Sequence, residues 1–459
     1  MRFQLKNVGV ISEADILLDN ITLIAAENDS GKSTIGKALF TLINTMNYFE
    51  DEYILIMNSD IEKRISLLKE ILELSLDAYK EEIRKVLSDG YEIIENKEIE
   101  EFKNNLLDFL YRKIKNRDKE IDSINTDLLK KLELNIKVLN KFKVNNKRIE
   151  GLLSVEKKIM EVIVNLIEVI QETSSYNLIE KESFQKALKE EFETGIRNIF
   201  EDKEESSLIL EDENSSIEIK LLNDEVVETK LPIKELRNNY NIIYIESPLI
   251  IDYLDKICSE KERKIDDKNY ILKENLKTKL EFNIVDNLLG KEKEIEKINK
   301  QIVDIISGEF TFDKQTQKYN YKKNGYSINV KNTANGIKTF GLIEMLLNNR
   351  RLNEKTILII DEPEVHLHPN WQVKYAEILV ILAMNLKVKI LLNSHSPYFI
   401  DAIKIYSEKY RCNTRFYSLV DSVERTSKIL LNKTNELSFI YKKLTEAYEI
   451  LKQVEFSDV

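Results

Sequence analysis

The sequence predicts an α/β protein: a mixed sheet flanked by helices and interrupted by large α-helical insertions. Three observations predict it. Near the amino terminus, "ITLIAAENDSGKSTIGKALFTLINTM" reads as a buried strand, a glycine-containing loop and a helix with apolar residues at helical spacing. Far downstream, "TILIIDEPEVHLHP" is a second buried strand that ends in an acidic pair. Between them, residues 49 to about 200 contain no proline and little glycine, and apolar positions recur at helical spacing among charges.

From the amino terminus, "RFQLKNV" and "EADILLD" alternate as short strands, and "ITLIAA" is a buried strand. The first insertion, residues 49–205, reads as antiparallel helices, either a coiled-coil arm or a helical bundle capping the head. Its heptads are not sustained enough for a long rod. "SSIEIKLLNDEVVETKL" and "NIIYIES" return to strands, so residues 206–248 rejoin the sheet. Residues 249–306 form a second charged helical insertion. "GEFTFDKQTQKYNYKKNGYSINV" is a meander of short strands, and strand and helix then alternate to about Val420, within a head segment of residues 307–430. Residues 431–459 carry a last amphipathic helix.

Bulk properties narrow the function. A chain of 459 residues with 42% hydrophobic content can bury a sizeable core. The net charge of −11 argues against a surface that grips nucleic acid as a whole, while leaving room for a local basic strip. Cys258 and Cys412, the two cysteines, are too far apart in sequence to suggest a disulfide framework or a zinc site. No apolar run approaches the ~20 residues of a membrane-spanning helix. The opening "MRFQLKNVGVISEAD" has no signal-peptide core, so a cytoplasmic location is expected.

The chemistry lies in three short stretches. The loop Ala26-Glu27-Asn28-Asp29-Ser30-Gly31-Lys32-Ser33-Thr34 has the spacing of a phosphate-binding loop, with Ala26 where glycine is usual. Backbone N–H groups of Asn28 to Ser33 are expected to cradle the phosphates of ATP, helped by the following helix N-terminus. Lys32 is expected to bridge the β- and γ-phosphates, the Ser33 hydroxyl to ligate Mg²⁺, and Thr34 to contact the α-phosphate. At the second stretch Asp361 would complete the Mg²⁺ shell and Glu362 would act as catalytic base. A buried strand ending in Asp-Glu is not rare by itself; combined with the loop it is a strong signal. The third stretch, "KILLNSHSPYFIDAI", ends a buried strand at His395, expected beside the acidic strand in a parallel sheet. His395 would hydrogen-bond the γ-phosphate or the attacking water; the alternative is a structural histidine. The chain's three histidines, His366, His368 and His395, all fall at strand ends near this site.

The order of phosphate loop, long insertion, "DEPEVHLHP" and "NSHSPYF" resembles the ABC-class ATPase heads of the SMC and RecF/RecN lineage. It is most similar to the OLD (overcoming lysogenization defect) family of bacterial ATPases, over residues 1–48 and 206–430. The resemblance implies an ABC-type head, made discontinuous by the insertions, that hydrolyses ATP with Mg²⁺ at the interface of a homodimer. It implies a signature turn acting on the partner subunit's nucleotide, and "NTANGIKTFGLIEMLL" supplies Asn335-Gly336 where Ser-Gly is usual. His366 and His368 then fall in the D-loop region, as partner contacts or as packing. OLD nucleases continue into a Toprim domain; the sequence after His395 lacks its acidic set, and no HNH nuclease fits. The resemblance therefore points to two-component anti-phage systems of the Septu and PARIS types, with a separately encoded nuclease or toxin as effector. Two other readings stand beside it: an SMC/RecF-like repair ATPase that binds DNA directly, and an ATP-locked scaffold with little hydrolysis. A transporter ATPase fits least, because such heads lack a large insertion after the loop helix.

Overall fold

A computed structural model describes residues 1–27, 30–48, 176–193, 195–198, 200–201, 203–213, 215–232, 240–253, 268–277, 291–313, 315–316, 318–422 and 427–444. Asn28, Asp29, Cys258, most of the first insertion and residues 445–459 lie outside them. The chain divides into two units, Met1–Glu52 with Asn177–Val459, and Tyr53–Tyr176. All the described strands belong to the first unit.

Strands β1 (Arg2–Val8) and β2 (Ile11–Leu17) form a hairpin, turning at Gly9 with φ +57°. Strand β3 (Ile21–Ala25), buried throughout, leads through the phosphate loop into α1 (residues 32–48). Helix α2 (Tyr176–Glu191) brings the chain back to β4 (Glu205–Asp212), β5 (Ser215–Leu222) and β6 (Glu225–Lys230), followed by β7 (Asn241–Ile245). Helices α3 (Lys268–Lys277) and α4 (Lys291–Ile306) precede β8 (Glu309–Asp313), β9 (Lys318–Lys323) and β10 (Tyr326–Asn329), a separate three-stranded antiparallel meander. Then come α5 (Asn335–Asn348), β11 (Thr356–Asp361), α6 (Pro369–Asn385), β12 (Lys389–Ser394), α7 (Pro397–Tyr410), β13 (Thr414–Asp421), β14 (Lys428–Asn432) and α8 (Leu437–Leu444).

The main sheet has eleven strands in the order β6-β5-β4-β1-β2-β14-β13-β3-β12-β11-β7. Its β13-β3-β12-β11-β7 portion is parallel and its β6-β5-β4-β1-β2 wing antiparallel, so the expected mixed sheet is present. Strand β14 joins the two portions, antiparallel to β13 and parallel to β2. The sequence does not announce this strand, since "KILLN" is short and only its centre is buried.

Alternation along β11 explains the two cores. Ile357 and Ile359 face one side with Ile24, Ile242, Leu391 and α1; Leu358 and Ile360 face the other with α5, α6 and α7. Each such buried isoleucine contributes ~1.5–3 kcal/mol, which is why a strand covered on both faces reads as a continuous apolar run. Among the described residues, no helix is long and apolar enough to cross a membrane.

Helix α5 packs tightly against the meander at Gly341. A Cβ added at Gly341 would come within 2.6 Å of the Phe310 ring, and Phe310 is itself buried. Gly341→Ala is therefore expected to cost about 1–3 kcal/mol through overpacking. Urea unfolding checks it: a lower midpoint at unchanged slope is the expected result.

Candidate functional site

Three adjacent parallel strands, β3, β12 and β11, carry the three sequence stretches to one edge of the sheet. The register pairs Asn393 with Ile24 and with Asp361, and Ser394 with Ala25. Lys32, Asp361, Glu362 and His395 thus lie at or just beyond the carboxyl ends of neighbouring strands, where ligands bind in open α/β sheets. Backbone bonds tie these ends together: Ala26 N donates to Ser394 O at 3.4 Å, and Glu362 N to Asn393 O at 2.8 Å.

Gly31 explains its own identity twice. Its φ is +87°, and a Cβ there would lie 2.5 Å from Val10 Cγ2 in the β1–β2 turn. Lys32 begins α1 and is buried; its ammonium donates to Ala26 O at 2.7 Å and Glu27 O at 2.6 Å. Ser30 Oγ also donates to Glu27 O, at 2.7 Å. Burial pushes the Lys32 ammonium below its usual range, while the charges of Glu362, Glu364, Asp361 and Glu27 pull it back up. A cation held near four carboxylates can turn to a polyphosphate. Ser33 is exposed on the first turn of α1, and Thr34 packs its methyl near Gly9. Ala26 is 1% exposed, so its small side chain fits where glycine is usual.

Asp361 is 6% exposed and held from both sides. Tyr244 Oη donates to its Oδ2 at 2.5 Å, and the Asn393 amide donates to its Oδ1. The same amide donates to Lys32 O at 3.2 Å, so Asn393 links the acidic strand to the phosphate-loop helix. Burial and the Asp361 charge push the Tyr244 phenol well above its usual range, keeping it a donor. Neither Asn393 nor Tyr244 is assigned a role from the sequence. Asn393 has a signal, since it immediately precedes Ser394-His395; Tyr244 sits in an apolar strand with nothing to mark it.

The chain turns sharply after β11. Glu362 adopts φ +46° and His366 φ +67°, left-handed conformations that cost a non-glycine residue energy and cluster at functional sites. The turn brings half-buried Glu362 to 3.6 Å from His395 Nδ1. It also brings Glu364, the second glutamate of "DEPE" and unassigned from sequence, to 3.3 Å from the same atom.

The remaining predicted groups lie on the flanking helices and turns. His368 caps α6, its Nδ1 accepting from Asn370 N at 3.4 Å; His366 is exposed. Gly336, in the first turn of α5, packs within its own chain: a Cβ there would lie 3.2 Å from Leu367 and from the Trp371 ring. Asn335 is half-buried at the helix start.

The donor set fits Mg²⁺. Ser33 offers an exposed hydroxyl and Asp361 a buried carboxylate, both hard oxygen donors of the kind Mg²⁺ takes.

The AAA ATPase domain family matches residues 1–400. The chain belongs to that family. This ATPase-family chain is also similar to the SMC head domain from Thermotoga maritima, at 10% identity and TM-score 0.38, over 94% of this chain and 97% of that one. A second similar structure is the Smc head domain with an extended coiled coil, bound to the C-terminal domain of ScpA derived from Pyrococcus furiosus. There the identity is 11% and the TM-score 0.40, over 99% of this chain and 98% of that one. No curated protein matches.

Proposed function

We propose that this chain is an ABC-type, OLD-like ATPase that hydrolyses ATP with Mg²⁺ between two copies of itself. In this reading it controls a separately encoded nuclease or toxin in bacterial anti-phage defence. The observation that carries the ATPase part is the convergence of Lys32, Asp361-Glu362 and His395 at the ends of three adjacent strands. The effector part is supported by the "DEPEVHLHP" and "NSHSPYF" blocks and their resemblance to the OLD family.

In this reading the loop of residues 26–34 binds the phosphates, with Lys32 on the β- and γ-phosphates. Ser33 and Asp361 would hold Mg²⁺, which supplies charge neutralisation on the phosphates. Glu362 orients a water and takes its proton as the water oxygen bonds to the γ-phosphorus. The bond from that phosphorus to the β–γ bridging oxygen breaks, releasing ADP and phosphate. His395 donates to the γ-phosphate or the water. Asn335 and Gly336 present the start of α5 to the nucleotide on the other copy, a helix N-terminus facing phosphate.

The test is phosphate release together with solution mass. With ATP and Mg²⁺ the expected result is turnover and an ATP-dependent rise from the 53.9 kDa monomer to twice that mass. No release above that of Lys32→Ala, with a stable ATP-bound assembly, would replace this reading with a nucleotide-locked scaffold. Stimulation by DNA would move it toward direct DNA binding.

A further inference from the structure

We propose that Glu364 is a positioning residue for His395, an assignment that rests on the hydrolysis reading. Its side chain is 4% exposed, a place where a polar group needs partners; Oε2 has none among the described residues, and Oε1 has several. One oxygen, Oε1, accepts three hydrogen bonds from consecutive residues: Ser394 Oγ at 2.8 Å, His395 N at 2.8 Å and Ser396 N at 3.0 Å. That single atom fixes the turn between β12 and α7 on which His395 stands. Ser396 caps α7, accepting from Phe399 N at 3.4 Å, so Glu364 also places negative charge at a helix N-terminus, where it is favoured.

The same carboxylate also lies beside the imidazole. His395 Nδ1 lies 3.3 Å from Glu364 Oε1 and 3.6 Å from Glu362 Oε1, and it is buried without a hydrogen-bond partner among the described residues. Two carboxylates flank the Nδ1 edge, so Nε2 is the edge that would face substrate. Glu362 and Glu364 leave the same turn two residues apart and divide the work. The half-buried one acts on the water; the buried one holds the histidine. An apolar residue would pack position 364 equally well but could not engage three donors on the facing turn.

The test is a double-mutant cycle between Glu364→Ala and His395→Ala, read by single-turnover phosphate release and by the affinity of a fluorescent ATP analogue. Glu364→Ala is expected to slow turnover about 100-fold, the scale of misplacing a reacting group by an ångström, with little change in affinity. In the His395→Ala background it should slow turnover no further. Glu364→Gln keeps the acceptor oxygen and should recover most of the loss; it also carries the test if the alanine variant fails to fold. Equal slowing in both backgrounds, or loss of affinity in step with turnover, would overturn the assignment and leave hydrolysis standing. A wild type that releases no phosphate would remove the hydrolysis reading, and this assignment with it.

Discussion

Replacing Glu362 with glutamine is expected to stop turnover and keep nucleotide bound. Glutamine matches the side chain in size but cannot take a proton from water. A general base contributes roughly 10²–10⁴-fold, so a loss near 10³-fold is expected. Binding should survive, because Gly31, Lys32 and the Tyr244–Asp361–Asn393 bonds do not involve Glu362. Removing a negative charge near Lys32 should favour bound polyphosphate further. Single-turnover hydrolysis and solution mass read both halves at once: no phosphate, and an ATP-bound dimer that persists. Turnover within tenfold of wild type would remove Glu362 from the role of base.

The second large effect concerns stability and pH. Glu344 on α5 is fully buried, and its two oxygens accept from Phe310 N at 3.2 and 3.1 Å. Burial pushes its carboxyl up from 4.5 to about 8, the Phe310 amide opposes that, and the Glu309 charge adds to it. Between those values the folded chain holds a proton that the unfolded chain has lost. Stability therefore falls as pH rises from about 4.5 to about 8, and this contribution is fully present only below that window. The change is on the order of a few kcal/mol. Glu344→Gln removes the titrating group and keeps an acceptor for Phe310 N. The variant should match wild type near the low end of the window and exceed it clearly at the high end. Parallel stability curves for the two proteins would show that Glu344 does not titrate in this way.

Much of the head is legible in the sequence because the chemistry and the fold share one pattern. A continuous apolar run closed by a phosphate loop, an Asp-Glu pair or Ser-His announces both a buried parallel strand and the group at its end. Lys32, Asp361, Glu362 and His395 are therefore visible as types and as neighbours. The supporting residues are not, because their roles depend on what faces them across strands. Tyr244 reads as an ordinary β-former until β7 lies beside β11. Glu364 reads as a second acid in a turn until that turn folds back on Ser394–Ser396. Gly336 shows how one residue type answers to two demands. Sequence suggests a turn opening toward a partner's phosphate, and the fold supplies a reason within the chain, the close approach of Leu367 and Trp371. Strand β14 is hidden because its pattern is too short to separate from a loop without β13 and β2 on either side.

ATP is expected to bind where these strands end. The measurement is titration of the full chain with a fluorescent ATP analogue, with Mg²⁺ and then with chelator, compared with Lys32→Ala. Saturable, Mg²⁺-dependent binding that unlabelled ATP displaces, weakened at least about 100-fold in Lys32→Ala, is the predicted result. Equal binding by the two proteins, or none by wild type, would contradict it.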